Sequence, residues 1–117
     1  MGDQTLVAVA ACAEEVLREV DTLGRWGGEE FLVILPETGF DDTVRKASEL
    51  CAHIAAAPLL RNHPVTISGG VTSVLTGDSA DTLLHRADVA LYTAKRGGRN
   101  RVEGVLDGET QLSLALP

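Results

Sequence analysis

Two short runs concentrate the residues able to do chemistry: Arg18-Glu19-Val20-Asp21 and, shortly after it, Gly27-Gly28-Glu29-Glu30-Phe31. Adjacent glycines let a backbone come close to a phosphate, and carboxylates beside them can share a divalent cation with that phosphate. The pattern points to a nucleotide. Paired glycines alone usually mark a tight turn. Here the apolar run Phe31-Leu32-Val33-Ile34-Leu35-Pro36 follows at once, so the glycines read as a turn feeding a buried strand, with the carboxylates at its mouth. A third run, Lys95-Arg96-Gly97-Gly98-Arg99-Asn100-Arg101, crowds cations into an acidic chain. Cations at a helix C-terminus gain about 0.3–1 kcal/mol from the dipole, which accounts for Lys95 and Arg96 but not for Arg99 and Arg101 beyond the glycines. On the residues alone, a polyphosphate clamp and a solvated charged loop both stay open.

The elements that must position these residues follow from periodicity. Asp3 is a good N-cap, and Leu6, Val9, Ala10, Ala13, Val16, Leu17 and Val20 recur on one helical face, predicting a helix over 3–20. Residues 22–26 and 31–35 read as a hairpin with Glu29 and Glu30 at its exposed tip. Asp41 and Asp42 open a second helix that runs through Ile54 and stops before Pro58. Residues 65–74 read as a strand in which Gly69 and Gly70 permit a bulge or close packing. A third helix begins near Asp81 and ends at Gly97-Gly98, and 102–106 can form a last strand. Residues 107–117 are left as a tail.

Composition narrows the classes. A length of 117 residues with 44% hydrophobic content supports one domain with a modest core. The net charge of −7 argues against a general nucleic-acid binder, which needs a basic face. No stretch approaches the roughly 20 apolar residues of a membrane span, and the start lacks a signal peptide's basic and apolar regions. A soluble, cytoplasmic chain is expected. Cys12 and Cys51 fall in helical segments and read as reduced core residues. His53, His63 and His85 lack the close pairing of a zinc site and read as structural or surface groups.

At this point the chain resembles a known family. Gly2-Asp3 with Leu6, Arg18-x-x-Asp21, Arg25-Trp26-Gly27-Gly28-Glu29-Glu30-Phe31, Val65-Thr66-Ile67-Ser68-Gly69-Gly70-Val71, Ala87-Asp88-Val89-Ala90-Leu91-Tyr92-x-Ala94-Lys95 and Gly98-Arg99-Asn100-Arg101 stand in the order of the GGDEF domains, the diguanylate cyclases. The resemblance covers roughly residues 2–105. It implies an α+β fold, an antiparallel-rich sheet with packed helices related to the nucleotidyl cyclase and ferredoxin-like folds, with residues 1–106 as a partial GGDEF domain. It also implies condensation of two GTP into cyclic di-GMP in bacterial second-messenger signalling, by a homodimer using Mg²⁺ or Mn²⁺. Carried over by position, Glu29 is a metal ligand that helps deprotonate the attacking 3′-hydroxyl, and Glu30 assists. Gly27 and Gly28 let the phosphates lie against the turn, Lys95 and Arg99 hold the terminal phosphates, and Asp3 accepts hydrogen bonds from guanine. Arg18 and Asp21 match the family's product-inhibition site; their plain alternative is an i,i+3 ion pair on a helix end, worth about 0.2–0.5 kcal/mol. Asp88 reads as structural and Tyr92 as core.

The chain also departs from the family. A first strand and helix, bearing an Asp metal ligand, a Lys near the phosphates and an Asn that reads guanine, precede the point where this sequence begins. Their absence is expected to leave a groove in the sheet and to make the chain a piece of a longer cyclase or a truncated product with impaired activity. The alternatives to an enzyme are a catalytically impaired module that binds cyclic di-GMP or GTP, and an inert remnant.

Overall fold

A computed structural model describes residues 3–59 and 65–106, except for the Asp3 side chain. The elements run α1 Asp3–Glu14, β1 Thr22–Gly27, β2 Glu30–Ile34, α2 Phe40–Ala56, β3 Gly69–Val71, α3 Ala80–Arg96 and β4 Val102–Gly104. The capping and guanine-reading roles expected of the Asp3 side chain, Gly2, His63 and the tail at 107–117 lie outside the described residues.

Apolar spacing on α1 and α2 makes the main core. Val9, Cys12 and Ala13 from α1 close on Leu50 and Ile54 from α2 and on Val65, with Leu23 and Phe31 of the hairpin packed against them. That contact ties the hairpin to the helices. Both cysteines are free and buried, as their helical settings predict. α2 starts at the Gly39 cap with Asp41 and Asp42 in its first turn, where negative charge suits the dipole. α3 starts in a reciprocal capping box between Ser79 and Thr82, which satisfies two otherwise orphaned donors. A Cβ on Gly70 would stand 2.3 Å from the Leu91 amide nitrogen, and one on Gly104 would stand 2.5 Å from Phe40 Cζ. Glycine is therefore what lets β3 lie on α3 and β4 on α2.

Several expectations are corrected. The first helix stops at Glu14, not at residue 20: Glu15 and Val16 donate to the carbonyls of Cys12 and Ala13, the i−3 bonds of a tightening helix end. Val20 is 62% exposed rather than part of the buried face. The strand expected over 65–74 shrinks to Gly69–Val71; just past it Arg86 takes the Ser73 carbonyl, a group a longer ladder would use, and also holds the Thr72 hydroxyl. The last strand ends at Gly104, although Val105 still donates to the Val71 carbonyl. Among the described residues the strands form two separate ladders: β1–β2 is antiparallel and β3–β4 is parallel. The mixture of helices with a small antiparallel sheet is an α+β fold. Tyr92 is 61% exposed, not core, and the Arg96 guanidinium sits 5.7 Å from its ring centroid.

Candidate functional site

The hairpin register explains how Glu29 is presented. Arg25 pairs with Phe31 and Gly27 with Glu30, so Trp26 is one extra residue on β1, a bulge that leaves its side chain exposed. Gly28 and Glu29 form the two-residue turn between the strands. Gly28 has φ +48°, and a positive first φ is the signature of a primed hairpin turn. The Arg25 guanidinium donates twice to the Gly28 carbonyl, at 3.1 and 2.8 Å, and pins the turn. Nothing stands within 4 Å of where a Cβ on Gly27 or Gly28 would be, so the backbone there is open to a ligand. Glu29 is exposed at the apex; Glu30 opens β2.

The cationic segment is folded, not merely solvated. Past α3, Arg99 donates to the Ala94 carbonyl and Gly98 has φ +122°, a Schellman-type ending. Arg99 and Asn100 then also take positive φ, 62° and 45°, a left-handed backbone that costs non-glycine residues about 1 kcal/mol or more each. Arg101 folds back to donate to the Arg99 carbonyl and covers the two glycines. It braces the turn that holds Arg99. Lys95, in the last turn of α3, is near enough for its charge to act on Glu29. The Glu29 carboxyl lies below the ordinary glutamate range, and the charge of Lys95 is the smallest of the causes.

Arg18 and Asp21 meet in a turn, not on a helix. Asp21 donates its amide to the Arg18 carbonyl, and its carboxylate accepts from the Arg18 amide at 2.7 Å, from Nε at 3.1 Å and from Nη2 at 2.8 Å. Nη2 also reaches the Pro36 carbonyl and the Thr38 hydroxyl. The Asp21 side chain is fully covered while that of Arg18 is about half exposed. These Arg18 hydrogen bonds hold the Asp21 carboxyl below its usual value and the Arg18 guanidinium above its own. Arg18 borders an open cleft of about 330 Å³ that Arg45 and Lys46 also line.

The structure thus joins Arg18 to Asp21 and sets that pair apart from Glu29. Asp21 sits at the base of the hairpin and Glu29 at its tip, so about 20 Å of strand separates them at roughly 3.3 Å per residue. Two groups escaped sequence reasoning. Arg25 was only part of a motif, yet its position three residues before the carbonyl it holds could have suggested a turn brace. Arg86 lies almost covered with Asp78, with Nη2 to Oδ2 at 2.6 Å and Nη1 to Oδ1 at 3.1 Å. Aided by the Leu75 amide, Arg86 holds the Asp78 carboxyl far below its ordinary value. Nothing in spacing marks that latch beyond an Asp just ahead of a helix.

Residues 1–101 match the family described as "Diguanylate cyclase, GGDEF domain". The chain is 39% identical over 105 residues to diguanylate cyclase DgcP of Pseudomonas aeruginosa, covering 87% of this chain and 16% of that protein. It is 40% identical over 101 residues to diguanylate cyclase DgcM of Escherichia coli, covering 86% and 25%. It therefore spans a quarter or less of the length of these relatives. Among solved structures, the active GGEEF domain of a diguanylate cyclase from Vibrio cholerae superposes with a TM-score of 0.82 at 32% identity, over 90% of this chain and 69% of that one. The coiled coil and GGDEF domain of DgcB from Caulobacter crescentus, in complex with c-di-GMP, gives 0.81 at 30% identity, over 88% and 57%. With the glycine turn, its carboxylates and the cationic helix end in place, the chain belongs to the GGDEF domain family of diguanylate cyclases.

Proposed function

We propose that residues 1–106 act within a diguanylate cyclase that condenses two GTP into cyclic di-GMP, as a homodimer in the bacterial cytoplasm. The observation that carries this reading is Glu29, exposed at the apex of a glycine turn that the Arg25 guanidinium pins through the Gly28 carbonyl. A Mg²⁺ or Mn²⁺ ion suits the donor set, because exposed carboxylate oxygens beside an open backbone are the hard ligands such ions share with substrate phosphates. Glu29, assisted by Glu30, would hold it. When bound, the ion neutralises charge on the transferring phosphoryl group.

The chain's own groups do the rest. Gly27 and Gly28 leave room for the triphosphate, Lys95 and Arg99 hold its terminal phosphates, and Asp3 accepts from the guanine edge. Glu29 takes the proton from the 3′-hydroxyl as its oxygen bonds to the partner nucleotide's α-phosphorus and pyrophosphate departs. Two subunits facing one another supply both nucleotides, which turns a collision into a positioned reaction. Fixed cations then stabilise the developing charge.

Arg18 and Asp21 form the product-inhibition site in this reading. Asp21 and the Thr38 loop hold the guanidinium by its Nε and Nη2 edge, so guanine or phosphate would meet its planar face and Nη1. That prebuilt pair also favours a second reading, a module that binds cyclic di-GMP without turnover. Chromatography of nucleotides after incubation with Mg-GTP tests the first. Product should form with the wild type and vanish with Glu29→Ala; a Glu29→Ala variant as active as wild type sinks the assignment. Titration with cyclic di-GMP tests the second site: Arg18→Ala should weaken binding at least about tenfold, on the order of 1.4 kcal/mol. Binding without turnover would establish the module in place of the enzyme.

A further inference from the structure

Away from the nucleotide site, the helix pair brings together three metal-ligating side chains. Cys12 lies in the last turn of α1, Glu15 just beyond its end, and His53 in the last turn of α2. The Cys12 Sγ, a Glu15 carboxylate oxygen and a His53 ring nitrogen all lie within 4.8 Å of one another. His53 Nε2 and Glu15 Oε1 are 2.8 Å apart. We propose that Cys12, Glu15 and His53 bind one Zn²⁺ ion that staples α1 to α2.

The donor set decides the ion. Thiolate sulfur, imidazole nitrogen and carboxylate oxygen are the ligands of Zn²⁺, whereas Mg²⁺ takes oxygen and keeps its waters. Tetrahedral Zn²⁺, with bonds of about 2.0–2.3 Å, places ligand atoms about 3.3–3.7 Å apart. The largest separation here must close by about 1 Å. Glu15 is exposed and His53 partly so, so rotamer changes at the surface supply that movement. Cys12 stays fixed in the core beside Val9, Ala13, Leu50 and Ile54. The apolar wall shields one side of the ion, and water completes the open side.

The test uses the whole 117-residue chain, reduced and freed of metal. Co²⁺ should give a thiolate-to-cobalt charge-transfer band in the near ultraviolet that saturates at one equivalent and is displaced by Zn²⁺. Zn²⁺ should also raise the unfolding temperature. Cys12→Ser should abolish the band, and Glu15→Gln and His53→Ala should each weaken Zn²⁺ at least about tenfold. Cys51→Ser, the other buried thiol, should change neither. Glu15 is exposed, so its replacement leaves the core intact and the result readable if Cys12→Ser unfolds. No band, a band that follows Cys51, or Zn²⁺ affinity unchanged in both Glu15→Gln and His53→Ala would each overturn the site.

Discussion

Gly28 shows how a single residue sets the chemistry next to it. Its positive φ aims Glu29 outward, and no atom crowds the place a methyl would take. Gly28→Ala is therefore a purely conformational change, expected to cost about 1 kcal/mol. It should weaken nucleotide binding by distorting the turn, with calorimetry against a non-hydrolysable GTP analogue as the readout. At this scale the sequence was legible wherever a role is local. Glu29 could be placed at a turn because two glycines and an apolar run bracket it, and Arg18 with Asp21 because they stand three positions apart. The meeting of Glu15 with His53 was not legible. They stand 38 residues apart, and only the packing of α1 on α2 joins them.

Among the elements, the closest approach is between β3 and α3. Gly70 lies against the Ala87 carbonyl and the Leu91 amide, backbone atoms that cannot swing aside. Gly70→Ala should cost about 3 kcal/mol or more, well beyond the Gly28 change, and comparing the two midpoints in urea checks the order. Of the two readings of Gly69-Gly70, a bulge or close packing, the second describes this contact. Strand length was not foreseeable. Residues 72–74 have strand-like composition, but Arg86 from a helix farther along captures the Ser73 carbonyl that a ladder would need. The first helix was overdrawn for a related reason: Val16, Leu17 and Val20 keep the helical rhythm, while the Arg18–Asp21 turn supplies bonds that compete with it. Periodicity reports which face is apolar, not where a side chain takes over from the backbone.

For the whole molecule, the paired carboxylates fix the response to acid. Asp21 and Asp78 both have folded values below their unfolded ones, so each contributes stability that is fully present above the unfolded value, about 3.9. That contribution is lost as pH falls through the folded values. Thermal unfolding should therefore vary little through these groups between pH 7 and about 4.5, then fall steeply below about 4. Asp78→Asn should lower stability at neutral pH and flatten the acid limb; an unaltered acid limb would show that the Asp78–Arg86 latch does not govern it. The order of helices and strands was legible because their patterns are strong, while the α+β class itself came from the family resemblance. That the described strands form two ladders was not legible in any property of the residues present.

The division into two ladders has a consequence for how the chain reaches its native state. The hairpin closes through a two-residue turn, and the parallel pair closes across α3 alone. Only the hairpin is a short closure, cheap in chain entropy and fast to form. The parallel pair joins Gly69 to Val102, 33 residues on, and the α1–α2 contact closes over the whole hairpin. The search for the fold thus has one local beginning, the hairpin, and two longer closures of similar length.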